Sequence, residues 1–270
     1  MTLKARFLNG SQGALFAVDR RPARDGPGKA PAIILAPFAE EMNRARRFMT
    51  VLAERLASDG RHACILDVYG TGDSAGEFAQ ASWDGWIEDV RRGCRALAEE
   101  HKRLPWIIGI RTGALLAREA AEGEDSAGGV VFLQPVTNGK RFLQQILRTR
   151  IAANMRRGVR ETTTDLTDRL AAGECLTVGG YSLPATVALP LAERAVREMR
   201  PPSCRVLWYE IAQTAEGMED RRVRPPDTWQ ARIAADRVII GDPFWQIEEP
   251  PAVPQTVIDT VAQDLEEHAR

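Results

Sequence analysis

Four short runs recur along the chain: Ala32–Ala36 (AIILA), His62–Asp67 (HACILD), Trp106–Ile110 (WIIGI) and Gly129–Leu133 (GVVFL). Each is apolar almost throughout, and helical patterns separate them. A strand that is apolar on both sides is buried on both faces, as happens when helices cover a parallel sheet above and below. Strand and helix in repeated alternation therefore mean an α/β fold, a mostly parallel sheet flanked by helices. Leu3–Leu8 and Ala14–Val18 read as an opening hairpin around Asn9-Gly10 and Gly13. Ala45, Phe48, Met49, Leu52, Ala53 and Leu56 follow helical spacing, with Asn43 placed to cap that helix. Trp83, Trp86, Ile87, Val90, Cys94 and Leu97 form the core-facing stripe of a second helix, and Thr112 to Ala121 reads as a third. Cys204–Ile211 and Arg237–Ile240 supply two more strands. A terminal helix carrying Val257, Ile258, Val261, Ala262 and Leu265 follows an EEPPAVP linker.

The rhythm breaks between Val136 and Ser203, where two or three helical patterns follow one another and Arg is frequent. The expected division is a core of residues 1–135 and 204–270, with 136–203 inserted as a helical cap over the carboxyl edge of the sheet. A chain of 270 residues suits one such core with its cap. The longest weakly polar stretch, Val178 to Ala192, is broken by two Gly and two Pro, so no transmembrane segment is expected. The opening MTLKARFLNGSQGALF lacks the apolar core of a secretory leader, and a cytoplasmic protein is expected.

Charge excludes some partners. Lys and Arg number 36 against 37 Asp and Glu, a net charge of -1, so no global positive field holds nucleic acid. The run Arg148, Arg150, Arg156, Arg157 and Arg160 reads as a solvated face, or as a local dock for an acidic protein partner or an anionic lipid surface. Cys64, Cys94, Cys175 and Cys204 show no metal-binding spacing and are expected as buried, reduced thiols. No metal is expected.

Two motifs fall where strands end. Asp67-Val-Tyr-Gly70-Thr-Gly72-Asp73-Ser74 has the Gly richness of a nucleotide loop, but position 75 is Ala, which breaks G-x-G-x-x-G. A tight loop needing Gly backbone freedom explains it, and no cofactor is expected. Gly109-Ile110-Arg111-Thr112-Gly113 lies between a buried strand and a helix, the context of the nucleophile elbow G-x-S-x-G. Its centre is Arg111, and a guanidinium offers no nucleophile.

In this order of hairpin, AIILA strand, D-x-x-G-x-G-x-S loop and elbow, the chain resembles the α/β-hydrolase family. More closely it resembles the second hydrolase-like family associated with the exosortase A system. That likeness rests on Pro37-Phe-Ala-Glu-Glu-Met-Asn-Arg44, on GIRTGALLA and on Leu133-Gln-Pro-Val-Thr-Asn-Gly139. The resemblance implies an α/β-hydrolase fold, with a Ser-His-acid triad at the carboxyl edge, in bacteria that sort surface proteins beside an exopolysaccharide gene cluster. The triad is not in the sequence. Ser is replaced by Arg111, and the segment after the last strand, Gly241-Asp-Pro-Phe-Trp245, holds no His. His62 opens one strand, His101 precedes another and His268 lies in the terminal helix, so none is expected at the edge that holds Arg111. Glu210 stands near the acid's place without an imidazole to orient.

Three functional readings follow. In the first, the chain is a degenerate hydrolase acting as a binding or accessory protein. Arg111 at a helix amino terminus costs about 0.3–1 kcal/mol unless an anion compensates. Glu40, Glu41 or Asp73 would pair with it and plug the site, or Arg111 would bind a small anionic or sugar-like ligand. Gln134 and Asn138 would either add amide contacts to that ligand or cap their own loops, while Phe244 and Trp245 would form an aromatic wall or fill core. In the second, the chain hydrolyses an unknown ester through Glu40, Glu41, Asp73 and Ser74. In the family the Ser of that loop supports it rather than attacks. In the third, the cap is a protein-interaction surface.

Overall fold

The computed structural model describes residues 1–23, 28–123, 126–219, 221–246 and 252–269. The chain opens with β1 (Thr2–Asn9) and β2 (Ala14–Arg21), paired antiparallel. It continues through β3 (Ala32–Leu35), α1 (Glu40–Ser58), β4 (Ala63–Leu66), α2 (Trp83–His101), β5 (Trp106–Ile110), α3 (Gly113–Ala120) and β6 (Gly129–Leu133). An insertion follows, made of α4 (Gly139–Met155), α5 (Thr163–Ala171), a hairpin of β7 (Leu176–Val178) and β8 (Tyr181–Leu183), and α6 (Ala185–Ala192). The chain then returns to the sheet with β9 (Arg205–Ala212), a short α7 (Ala215–Glu219) and β10 (Ile233–Ile240), and α8 (Gln255–His268) follows.

Eight strands form one sheet in the order β1-β2-β4-β3-β5-β6-β9-β10. From β4 to β10 every neighbour is parallel, and only β2, antiparallel to both β1 and β4, runs against the rest. Alternate residues feed two cores, as the period of two requires. Ile33, Ile107, Val130 and Trp208 face α2, α3 and the insertion, whereas Ile34, Ile108, Val131 and Tyr209 face α1 and α8. The wholly apolar strands are thus buried on both sides, and the expected mostly parallel sheet is present. No helix among the described residues is long and apolar enough to cross a membrane.

Several local expectations are corrected. Asn43 does not cap α1, because the helix begins at Glu40 after Ala39, whose φ is 55°. Two carboxylates in the first turn meet the positive end of the helix instead. The Asn43 amide is used across space, donating to Tyr181 Oη at 2.5 Å. β10 begins at Ile233 rather than Arg237, its charged centre fixed by ion pairs of Asp236 with Arg221 and of Arg237 with Asp264. The cysteines are free, but Cys175 is exposed and Cys204 only partly buried, where both were expected in the core. Burial raises the thiols, that of Cys94 to about 12, which makes it inert. The insertion contains a β-hairpin that helical patterning did not indicate. Part of the EEPPAVP linker lies outside the described residues.

The insertion is tied to the rest of the molecule at separate points. Thr186 Oγ1 donates to the Ala81 carbonyl at 2.6 Å, and Arg194 forks onto the Glu119 carboxylate at 2.6 and 3.0 Å. Together with the Asn43–Tyr181 bond, these tie its hairpin to the first turns of α1, and its α6 to the loop before α2 and to the end of α3.

Candidate functional site

The strand-to-helix corner after β5 is built as an elbow. Arg111 has φ 54°, the left-handed region that an L-residue occupies at a cost of about 1–3 kcal/mol. Gly109 and Gly113 allow the tight approach. A Cβ on Gly109 would lie 2.4 Å from Ala114 Cα, and one on Gly113 would lie 2.7 Å from the carbonyl oxygens of Leu35 and Ala36. Ala39 and Gln134 also have positive φ, 55° and 45°. Backbone strain is therefore concentrated at the ends of three adjacent strands, β3, β5 and β6, where such folds keep their chemistry.

The side chain at this corner is closed by its neighbours. Arg111 Nη2 donates to Glu41 Oε1 at 3.0 Å and Nε to Oε2 at 3.2 Å, a two-pronged fork. Nη1 donates to the Gln134 carbonyl at 3.3 Å. The guanidinium lies 5.2 Å from the ring centre of Trp245 and 5.7 Å from that of Phe142. Glu41 sits in the first turn of α1, so one helix end favours the anion while the anion offsets the cation at the start of α3.

The oxyanion position is also occupied. In hydrolases of this architecture, one donor is a backbone N–H from the loop after the third strand. Here Phe38 N–H in that loop donates to Thr112 Oγ1 at 3.3 Å, and Thr112 is buried. The space lined by Phe38, Thr112, Pro37 and Trp86 amounts to about 20 Å³, roughly enough for one water.

No imidazole approaches. The three His lie at the opposite edge of the sheet. His62 O accepts from Ala32 N at the start of β3, and His268 O accepts from Arg205 at the start of β9. His62 Nδ1 lies 2.6 Å from His101 Nε2, and His62 Nε2 lies 3.1 Å from Asp19 Oδ1. His62, Glu100 and His101 bring metal-ligating atoms within 4.8 Å of one another, but Glu100 is paired with Arg21 and Arg6.

The other expected site residues divide. Glu41 meets Arg111, and Glu40 pairs loosely with Arg44 at 3.6 Å. Both lie in the first turn of α1. Asp73 is exposed, its N–H donating to Asp67 Oδ2 at 3.3 Å. Ser74 Oγ donates to the Asp67 carbonyl at 2.6 Å and accepts from Phe16 N at 2.8 Å, so its hydroxyl supports the loop. Gln134 Oε1 accepts from Ile211 N at 2.5 Å, and Asn138 caps α4 by accepting from Arg141 N at 2.9 Å. Both amides serve the backbone. Glu210 accepts from Arg222 N and Val223 N at 2.9 and 3.0 Å and pairs with Arg221, pinning the segment after α7. Phe244 stacks on Phe48 at 3.7 Å as core, while Trp245 walls Arg111.

A cleft opens beside the sealed elbow. It measures about 150 Å³ and lies between the β3–α1 corner and the insertion. Phe38, Phe78, Phe142 and Ile146 form apolar walls, Tyr181 closes one side, and Glu40 and Glu41 stand at the edge. The sequence reading missed the wall from β7 and β8 because three-residue strands are too short to show alternation. Gly179-Gly180 between LTV and YSL, with φ 56° and 88°, was the turn signal that marks it.

The model of the serine aminopeptidase S33 family matches residues 33–172, which run from β3 through the elbow into the insertion. The chain belongs to that family. No curated protein matches the sequence. Among solved structures, Est1E from Butyrivibrio proteoclasticus with bound ferulic acid has a TM-score of 0.62 at 16% identity, covering 97% of each chain. The proline iminopeptidase of Mycobacterium smegmatis has a TM-score of 0.61 at 16% identity, covering 98% of this chain and 99% of its own. Mouse alpha/beta hydrolase domain-containing protein 10 has a TM-score of 0.60 at 16% identity, with the same coverage. At such identities these neighbours establish the α/β-hydrolase fold for this S33 family member, and the fold alone.

Proposed function

We propose that this S33 family member is a catalytically silent α/β-hydrolase that works as a ligand-binding or accessory protein. One observation carries the reading. The corner that would present a serine hydroxyl presents Arg111, which is locked onto Glu41, and every imidazole lies at the far edge of the sheet. The engaged Phe38 N–H adds to it, because acyl transfer relies on that donor being free.

The insertion acts as a cap, and the cleft beneath it is the binding site. An anion reaching Arg111 would have to displace Glu41, so the ligand class is better read from the cleft itself. Aromatic and aliphatic walls with carboxylates at one edge suit a compact, largely apolar molecule with a cationic or hydrogen-bond-donating end. The role in surface-protein sorting beside an exopolysaccharide system rests on the sequence likeness of the PFAEEMNR, GIRTGALLA and LQPVTNG segments.

The test combines two measurements on purified protein. Short acyl esters are expected to show no enzymatic turnover, and a fluorophosphonate probe is expected to leave the protein unlabelled. An apolar fluorescent probe is expected to bind, and Ile146→Trp, which fills the cleft, to abolish that binding. Rapid ester turnover that disappears when one cleft residue is changed would overturn the proposal.

A further inference from the structure

The basic residues of this chain are not evenly spread. Residues 139–160 contain Lys140 and six Arg with no Asp or Glu, a local charge of +7 in a chain whose net charge is -1. Arg150 is drawn inward, where it pairs with Glu161 at 2.7 Å and donates to the Thr177 carbonyl. The other arginines point out. Arg141, Arg148, Ala152 and Met155 are all exposed, and their spacing of seven, four and three places them along one outer face of α4. Beyond the helix end, Arg156, Arg157, Val159 and Arg160 are exposed as well.

Two further features distinguish this tip from an ordinary solvated face. Met155 is 68% exposed and Val159 48%, so apolar side chains stand among the cations. The nearest acid in sequence, Glu161, is only 10% exposed and is held between Arg150, Arg169 and Asn154. Its charge is consumed within the fold and leaves the neighbouring arginines uncompensated. Gly158, at the turn with φ 79°, has open space around it.

We propose that this tip, Met155 to Arg160 with Arg148 beside it, docks the protein on the surface of an anionic lipid bilayer. Arginines meet lipid phosphates while Met155 and Val159 enter the headgroup boundary. A surface that is cationic and apolar together matches this interface. A nucleic acid would meet the arginines but would leave the two apolar side chains in water, so the lipid surface is the occupant the chemistry favours. The inference does not depend on the silence of the elbow, since vesicle binding is read without any ester.

The experiment is flotation of the full-length protein with vesicles, either pure phosphatidylcholine or phosphatidylcholine containing phosphatidylglycerol at about one lipid in three. The expected result is binding to the anionic vesicles only, weakened by salt. At about fivefold per basic residue, reversing Arg148, Arg156, Arg157 and Arg160 to Glu lowers binding at least about 100-fold. Met155→Ser with Val159→Ser lowers it about tenfold or more with the charge unchanged. Circular dichroism establishes that both variants fold, and the second tests the idea without altering charge. Absence of vesicle binding, binding that survives the arginine reversals, or capture by duplex DNA without capture by vesicles overturns the proposal.

Discussion

Nη2 of Arg111 lies 3.0 Å from Oε1 of Glu41, and Nε lies 3.2 Å from Oε2. The pair joins the elbow after β5 to the first turn of α1. The Arg111 side chain is 14% exposed and that of Glu41 22%, so neither charge is well hydrated without the other. Glu41→Gln is expected to lower stability by about 2 kcal/mol, somewhat below the cost of breaking a fully buried pair. Urea denaturation of Glu41→Gln, Arg111→Met and the double variant should give a coupling of about 1–3 kcal/mol. Additive losses would show that the fork contributes nothing.

A serine at the elbow should not create an esterase. Arg111→Ser places a hydroxyl on a suitable backbone, but the segment after β10 supplies Phe244 and Trp245 in place of a base. It also exposes Glu41 to a cavity without its partner. The expected outcome is no gain in ester turnover above the wild-type background and a fall in thermal midpoint. Measurable burst kinetics from this single variant would mean that a base lies within reach after all.

Thr112 offers a separate test of the closed oxyanion position. Its hydroxyl accepts from Phe38 N–H at 3.3 Å inside the core. Thr112→Val keeps the shape and removes the acceptor, leaving a buried donor unpaired, at a cost of about 1–3 kcal/mol. Hydrogen exchange at the Phe38 amide should accelerate in the same variant. Unchanged exchange would place that amide's protection elsewhere.

The sheet was legible from the sequence because its strands are apolar on both faces, and Ile33 with Ile34 or Ile107 with Ile108 leave no other environment open. The elbow was legible because Gly109 and Gly113 bracket it, and backbone approach at both positions admits no Cβ. The partner of Arg111 was narrowed to three acids but not resolved. Glu41 lies 70 residues away, and only the tertiary placement of the first turn of α1 at the elbow decides that it, rather than Asp73, meets the guanidinium. Asn43 was misplaced for a related reason. A helix cap and a long-range hydrogen bond use the same amide, and sequence cannot tell that Tyr181 stands opposite it. The tip at Met155 was visible as charge, but the inward turn of Glu161 that leaves it uncompensated is a tertiary fact.

Acid stability should reveal the histidine pair at the far edge. His101 is held below its ordinary value of 6.5, chiefly by burial and then by its electrostatic interaction with His62, with Arg21 and Arg6 acting in the same sense against Glu100. The unfolded chain therefore takes up a proton near pH 6.5 that the folded chain accepts only at lower pH. Between those points the unfolded state binds more protons, so stability is complete above pH 6.5 and declines as the pH falls below it. Asp19 acts further down. Burial raises its carboxyl, but the hydrogen bond and charge of His62, with Arg6 and Arg21, outweigh burial and hold it below 3.8. The stability it contributes is lost as the pH falls through that lower range. Urea midpoints measured from pH 7.5 downwards should thus fall in two stages. His101→Gln removes the first stage, since the amide does not titrate, and leaves the second in place. A His101→Gln curve parallel to wild type above pH 5 would remove His101 from the account.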